Sequence, residues 1–287
     1  MKVTSCAAIR EMERAAILER GALGLMERAA RAVADAVRAT RRRRVVFLCG
    51  TGKNGGDGFA AAQLLVEAGL SVLVYALGEE SRRAPETAHY AAAYTGELRT
   101  VPDEDIARAE VVVDALFGIG FHGALEGAYR DAVALACRRR GTRAPYRIAV
   151  DVPSGVNADT GAVEGMAFEA ALTVTFTLPK AGLLLLPGAA YTGRLLVAEV
   201  GVPPGLAAAA PGLFGAFDRS AADAVMPVRR VDAHKGDFGR LLICGGCVEY
   251  PGAPVFAAKA AVRAGAGLVT LAVPAGLYPI AATKLDE

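Results

Sequence analysis

Residues 45–59 read VVFLCGTGKNGGDGF: five apolar residues, then five glycines, two charges and one asparagine within the next ten positions. A run with no apolar/polar alternation is what a strand covered on both faces needs, as in a parallel sheet flanked by helices. Runs of the same kind follow at 71–77 (SVLVYAL), 111–117 (VVVDALF), 147–152 (RIAVDV) and 172–178 (LTVTFTL), and Arg194 to Val200 reads as a later strand that closes the sheet. Helical candidates lie between them at 57–68, 85–95 and 127–139. The order is therefore β-α-β-α-β, and the expected fold is a doubly wound, Rossmann-like α/β sheet. Ahead of it Ile9, Met12, Ala16, Leu23, Met26, Ala30, Val33 and Val37 recur at helical spacing, with a break at Gly21 to Gly24, which predicts an N-terminal helical arm.

In open parallel sheets ligands collect beyond the carboxyl ends of the strands, where the next helix offers free N–H groups and a positive dipole end. Glycines in that position let backbone amides approach a phosphate with no Cβ in the way. The stretch after Cys49 is not a P-loop, because Lys53 is followed by Asn54 rather than Ser or Thr. Nor is it the dinucleotide fingerprint: the nearest match is Gly50, Gly52 and Gly55, and the second strand ends in Ala76-Leu77-Gly78 with no acidic residue. Read as a glycine loop alone it is a weak signal. Asp57 strengthens it, since a carboxylate beside an anion site must answer to something else it binds.

Two more strand ends carry carboxylates. Asp114 ends the VVVD run and Asp151 the RIAVD run, so both should converge on the cleft beside the glycine stretch. Each could instead cap a following helix. With Asn54 and Ser154 supplying neutral oxygens, the set suits a hard cation.

Composition bounds the rest. A chain of 287 residues, 53% hydrophobic, can bury one large core and begin a second. No apolar run reaches the roughly 20 residues a spanning helix needs, and GLLLLPGAA breaks at Pro187. The N-terminus, MKVTSCAAIREMER, turns charged before any signal-type apolar segment develops, so a soluble cytoplasmic protein is expected, without a membrane partner. A net charge of +2 gives no reason to expect nucleic acid, and Arg41 to Arg44 read as a solvated loop. Five scattered cysteines point to reduced thiols, with the C-G-G-C pair Cys244 and Cys247 read as a buried strand cysteine and a loop cysteine.

Taken together, GTGKNGGDGF (50–59), VVVDALFGIGFHG (111–123), VDVPSGVNADTG (150–161) and FTLPKAGLLLLPG (176–188) strongly resemble the NAD(P)H-hydrate epimerase family over residues 5–202. The resemblance implies an isomerase that interconverts the R and S forms of hydrated NADH and NADPH with bound potassium. It implies that Asn54, Asp114 and Ser154 ligate the potassium ion. It further implies that Lys53, Asn54, Gly55, Gly56 and Asp57, the loop Gly118, Ile119, Gly120, Phe121, His122, Gly123 and Ala124, and Asp151 hold the hydrated nucleotide. Lys53 departs from the family, which has asparagine there. The hydrate carries a hydroxyl on the ring carbon beside N1; protonating it lets water leave while the nitrogen lone pair stabilises the cation, and water re-adds on the other face. One carboxyl group in reach of both steps can serve as acid and then base, with Asp151 the first choice and Asp57 the second. Lys180 is a weaker candidate, expected to face solvent or a phosphate, and His122 is left without a role.

Past Val202 the sequence turns to PPGLAAAAPG, which reads as a linker. The expected division is an epimerase domain at 1–205, a linker at 206–225 and a second segment at 226–287. HKGDFGRLLICGG (234–246) and YPGAPVFAAKAAVRAGAGLVTLAVP (250–274) resemble the start of the ADP- or ATP-dependent NAD(P)H-hydrate dehydratase, a ribokinase-like domain. That resemblance implies an incomplete domain with Ala253 at its substrate, Gly245, Gly246 and Gly252 in loops, and serine in the family where Cys247 stands. About 60–70 residues supply one or two strands and a helix. Two other classes stay open: a non-catalytic binding module on the same fold, and a small-molecule kinase. A homo-oligomer is compatible with the sequence, which does not fix the number of chains.

Overall fold

The computed structural model describes residues 2–138, 144–217 and 219–285. The chain divides into two compact units, 1–218 and 219–287.

In the first unit, strand β1 (Lys2–Val3) leads into the helical arm, α1 (Cys6–Arg20) and α2 (Ala22–Ala39), which break apart at Gly21 as expected. Then follow β2 (Arg44–Cys49), α3 (Lys53–Glu67), β3 (Ser71–Ala76), α4 (Pro85–Ala93), β4 (Glu97–Arg99), α5 (Asp105–Arg108), β5 (Val111–Ala115), α6 (Gly127–Cys137), β6 (Tyr146–Val150), β7 (Leu172–Phe176) and β8 (Arg194–Ala198). The seven strands β2 to β8 form one parallel sheet in the order β4-β3-β2-β5-β6-β7-β8. The chain runs outward from β2 to one edge, returns, and runs outward again from β5, so the switch point lies between β2 and β5. Ligand crevices of doubly wound sheets open there, outside the carboxyl ends of the strands.

Both faces are covered, which is why the strands lack alternation. Phe47, Cys49, Val74, Val113, Val150 and Val174 pack under α2 and α3 through Val33, Val37, Phe59 and Leu65. Val46, Leu48, Tyr75, Val112 and Ala149 pack on the other side against Ile106 of α5 and Ala132, Val133 and Ala136 of α6. The short edge strand β4 and helix α5 carry too few apolar residues to have been predicted. The candidate helix over 127–139 ends at Cys137, and Arg139 lies outside the described residues.

One expectation needs correction. The glycine stretch is not a loop ahead of a helix starting at 57, because α3 begins at Lys53 and Asn54 to Asp57 sit within its first two turns. Glycine disfavours helix by about 1 kcal/mol per residue, but here close packing against the sheet decides the conformation.

Residues 206–225, expected as a linker, take in the end of a helix over Pro204–Ala209, strand β9 (Phe214–Gly215), which pairs antiparallel with β1, and a helix over Arg219–Val225. Thr4 Oγ1 donates to the Pro211 carbonyl at 2.6 Å and Lys2 Nζ to that of Ala210 at 2.9 Å, which ties this stretch to the N-terminus.

The second unit contains a parallel pair, β10 (Arg240–Cys244) and β11 (Leu268–Ala272), joined by the helix Gly252–Ala264. Gly245 and Gly246 lie in a loop, whereas Gly252 opens the helix and is not a loop residue. Its buried residues are few, among them Val255, Ala258, Leu277 and Ala281. All five cysteines are free thiols, but Cys244 is exposed, not buried, because a two-stranded sheet leaves strand residues uncovered. No helix among the described residues is long and apolar enough to cross a membrane.

Candidate functional site

A cavity of about 580 Å³ opens at the switch point. Its floor is the end of the sheet and the first turns of α3, which contribute Lys53, Asn54 and Asp57. The turn Leu116 to Phe121 after β5 forms one wall, and Asp151, Phe176 and Val200 form another. The arm closes the remaining side through Arg10, Glu13, Arg14 and Ile17 of α1 and Leu25, Met26 and Ala29 of α2.

The two helix-opening glycines explain how α3 begins so near the sheet. A Cβ on Gly55 would lie 2.0 Å from the Gly50 carbonyl oxygen, and one on Gly56 would lie 2.8 Å from Met26 Sδ. Both are buried and neither lines the cavity; Lys53, Asn54 and Asp57 from the same turns do.

Asp151 follows β6 with φ of 64°, a left-handed conformation that stores on the order of 1–3 kcal/mol in a non-glycine residue. Its N–H donates to the Val174 carbonyl at 2.7 Å. Its Oδ1 accepts from Lys180 Nζ at 2.5 Å, Thr175 Oγ1 at 3.1 Å and the Phe176 N–H at 3.3 Å. Lys180 is fully buried and also donates to Thr175 Oγ1 at 2.9 Å and the Phe176 carbonyl at 3.0 Å. The expectation of a solvent- or phosphate-facing lysine is therefore corrected: Lys180 lies behind Asp151 and fixes it. Its own backbone is bridged to Thr4, so the N-terminal strand holds this part of the site as well.

Asp57 is buried, and its side chain makes no hydrogen bond or ion pair among the described residues. Burial, then the charges of Asp151 and Glu13, push its carboxyl well above the usual range, against the opposing charge of Lys53. Burial and then the charge of Asp151 raise Glu13 too. Lys53 is exposed at the rim, 3.7 Å from Glu86.

Asp114, Ser154 and Asn54 are joined through one turn. Ser154 Oγ donates to Asp114 Oδ1 at 2.7 Å and accepts from the Phe117 N–H at 3.1 Å, while Asn54 Nδ2 donates to the Phe117 carbonyl at 2.9 Å. The Ser154 N–H donates to Asp114 Oδ2 at 2.7 Å and the Leu116 N–H to Oδ1 at 3.2 Å. Asp114 therefore caps no helix among the described residues. Complete burial raises its carboxyl to about 6, although these hydrogen bonds oppose the rise. Asn54 lines the cavity; Asp114 and Ser154 stand behind the Leu116–Phe117 turn. No cluster of three His, Cys, Asp or Glu residues able to hold a metal occurs among the described residues.

In the 118–124 loop, Gly118, Ile119, Gly120 and Phe121 line the cavity, whereas His122, Gly123 and Ala124 are exposed and do not. His122 Nδ1 lies 3.1 Å from Asn157 Nδ2. Ala253 is exposed in the first turn of the second unit's helix Gly252–Ala264. Sequence reasoning missed Arg10, Glu13 and Glu86 as site residues. The available signal for Glu13 was a carboxylate next to the buried stripe Ile9, Met12 and Ala16 on α1.

A family profile described as YjeF-related protein N-terminus matches residues 22–182, and one described as NAD(P)H-hydrate dehydratase matches residues 241–282. The chain is 42% identical over 265 residues to the bifunctional NAD(P)H-hydrate repair enzyme of Methanothermobacter thermautotrophicus, covering 88% of this chain and 49% of that protein. It is 41% identical over 183 residues to the NAD(P)H-hydrate epimerase of Limosilactobacillus fermentum, covering 62% of this chain and 85% of that one. The chain thus spans about half the length of the bifunctional relatives it matches. The crystal structure of the yeast protein ynu0 has the same fold, with a TM-score of 0.59 and 22% identity over 76% of this chain and 98% of that one.

Proposed function

Since the chain belongs to the YjeF-related N-terminal family, we propose that its first unit epimerises the R and S hydrates of NADH and NADPH, as a step of metabolite repair. The observation that carries this reading is Asp151, anchored on one oxygen by the buried Lys180 and presented to a cavity at the switch point of the sheet. The similarity to an epimerase over most of that relative's length supports it.

In this reading the hydrated nicotinamide ring enters the cavity and the pyrophosphate lies near the start of α3, where helix N–H groups and Lys53 favour an anion. Gly118 to Phe121 close over the nucleotide. Asp151 exchanges a proton with the departing or returning water. Its position is held by Lys180, Thr175 and the Phe176 amide, so little reorganisation is needed during the reaction.

Potassium fits the residues present. Asp114 is a fully buried carboxylate with no ion pair among the described residues, and Asn54 Oδ1 and Ser154 Oγ are neutral oxygens joined to it through the Phe117 turn. When bound, the ion supplies positive charge that offsets Asp114 and steadies the turn carrying Gly118. The second unit resembles the start of a dehydratase domain, and ADP- or ATP-dependent lyase activity is proposed for the complete domain alone.

The experiment is direct. The purified chain, given the R hydrate of NADPH in potassium buffer, is expected to produce the S form until both are present at equilibrium, followed by chromatography. Tight nucleotide binding with no exchange would assign a binding module instead.

A further inference from the structure

Glu13 enters the cavity from α1, the one wall built by the N-terminal arm. It lies four residues after Ile9 and three before Ala16, both buried, so the helix carries this carboxylate at the edge of its inward face. The Glu13 side chain makes no hydrogen bond or ion pair among the described residues, although Arg10 and Arg14 share its helix; Arg10 Nη2 instead donates to the Ile119 carbonyl at 3.2 Å. The other charged groups around it are Lys53 and Asp57 of α3, Glu86 of α4, and Asp151 with Lys180 behind it. A partly buried carboxylate without a partner loses hydration and gains nothing for the fold. A second such group, Asp57, is nine-tenths buried, equally unpartnered, and lines the same space.

Exchange of water between the two faces of a ring requires proton transfer on each face. Asp151 cannot easily swing between faces, because its backbone is constrained at φ of 64° and three donors hold its Oδ1. Glu13 comes from a different wall.

We propose that Glu13 is a second acid–base residue of the epimerisation, serving the face of the hydrated ring that Asp151 does not reach. The proposal rests on the epimerase reading. In one direction the protonated Glu13 gives its proton to the ring hydroxyl, the C–O bond breaks with its electron pair leaving as water, and the N1 lone pair forms the iminium cation. A water on the opposite face then adds to the same carbon and gives its proton to Asp151. The reverse direction exchanges the two roles, and exchange with solvent resets the protons. Burial raises Glu13 and so favours the protonated form that this step starts from.

The test compares the full chain with E13Q, and with E11Q as a control on the exposed side of the same helix. Turnover in both directions is measured against pH, and NADP affinity is measured by calorimetry to establish that each variant is folded. E13Q is expected to lower kcat about 10²-fold or more in both directions, to leave KM and NADP affinity within a few fold, and to lose the limb on which turnover falls as pH rises in the direction in which Glu13 gives its proton, and the rising limb in the reverse direction. E11Q is expected to match the parent. If the parent turns over and E13Q keeps kcat within threefold with the same pH profile, the role of Glu13 is overturned and the epimerase reading stands. If the parent binds NADP but exchanges no hydrate, the epimerase reading fails, and the role of Glu13 falls with it.

Discussion

At the scale of single residues the site is a group of carboxylates with unequal support. Asp151 has Lys180, Thr175 and an amide, while Asp57 has none. Lys180→Met removes the buried ammonium from Asp151 and should destabilise the first unit by about 3–5 kcal/mol, the usual loss when half of a buried pair is deleted. Thermal unfolding measures it; a melting temperature within a degree or two of the parent would mean that the pair contributes little. Asp57→Asn should act the other way. Because the folded state raises the Asp57 carboxyl well above its unfolded value, the folded protein holds a proton that the unfolded chain releases, so stability falls as pH climbs through that interval and stays reduced above it. The amide abolishes this term. Asp57→Asn should therefore gain stability over the parent at pH 8 and lose that advantage toward pH 4, in paired melts; an equal difference at both pH values contradicts the assignment. The sequence made Asp57, Asp114 and Asp151 visible because each interrupts or follows an apolar or glycine-rich run. It did not reveal that Lys180 is buried, because its partner lies 29 residues away and only the sheet brings them together. Glu13 was hidden for a similar reason: one acid beside a helical stripe looks like the edge of a solvated face.

At the scale of elements, the strands were legible and the start of α3 was not. Continuous apolar runs mark β2, β3, β5, β6 and β7 because helices cover both faces, and no competing helical period runs through them. The glycine-rich opening of α3 misleads, since local propensity argues for a loop while packing on the sheet makes a helix. Paired substitutions separate the two effects. Gly55→Ala places a methyl group 2.0 Å from the Gly50 carbonyl oxygen and should destabilise the unit by more than about 2 kcal/mol, whereas Gly52→Ala meets nothing within 4 Å and should change stability little. Chemical denaturation gives both values, and similar effects at the two positions would rule out close packing as the reason for glycine at 55.

At the scale of the whole molecule, the two units differ in how much they bury. Residues 2–217 enclose a seven-stranded sheet between helical layers, and residues 219–285 hold two strands whose residues are mostly exposed or half-buried. Hydrogen exchange should accordingly protect β2, β5 and β6 for far longer than β10 and β11, because exchange from buried core strands requires nearly global opening. Equal protection would show that the second unit is as stable as the first. Epimerisation by the first unit is measured most directly as R-to-S exchange by Asp151→Asn beside the parent, with NADP affinity measured on both. The amide keeps the shape and can still accept hydrogen bonds, but it cannot carry the proton. The parent is expected to exchange the hydrates and the variant to do so at a rate lower by ~10²–10⁴, with affinity unchanged within a few fold. A variant that exchanges at nearly the parent's rate would contradict the role of Asp151.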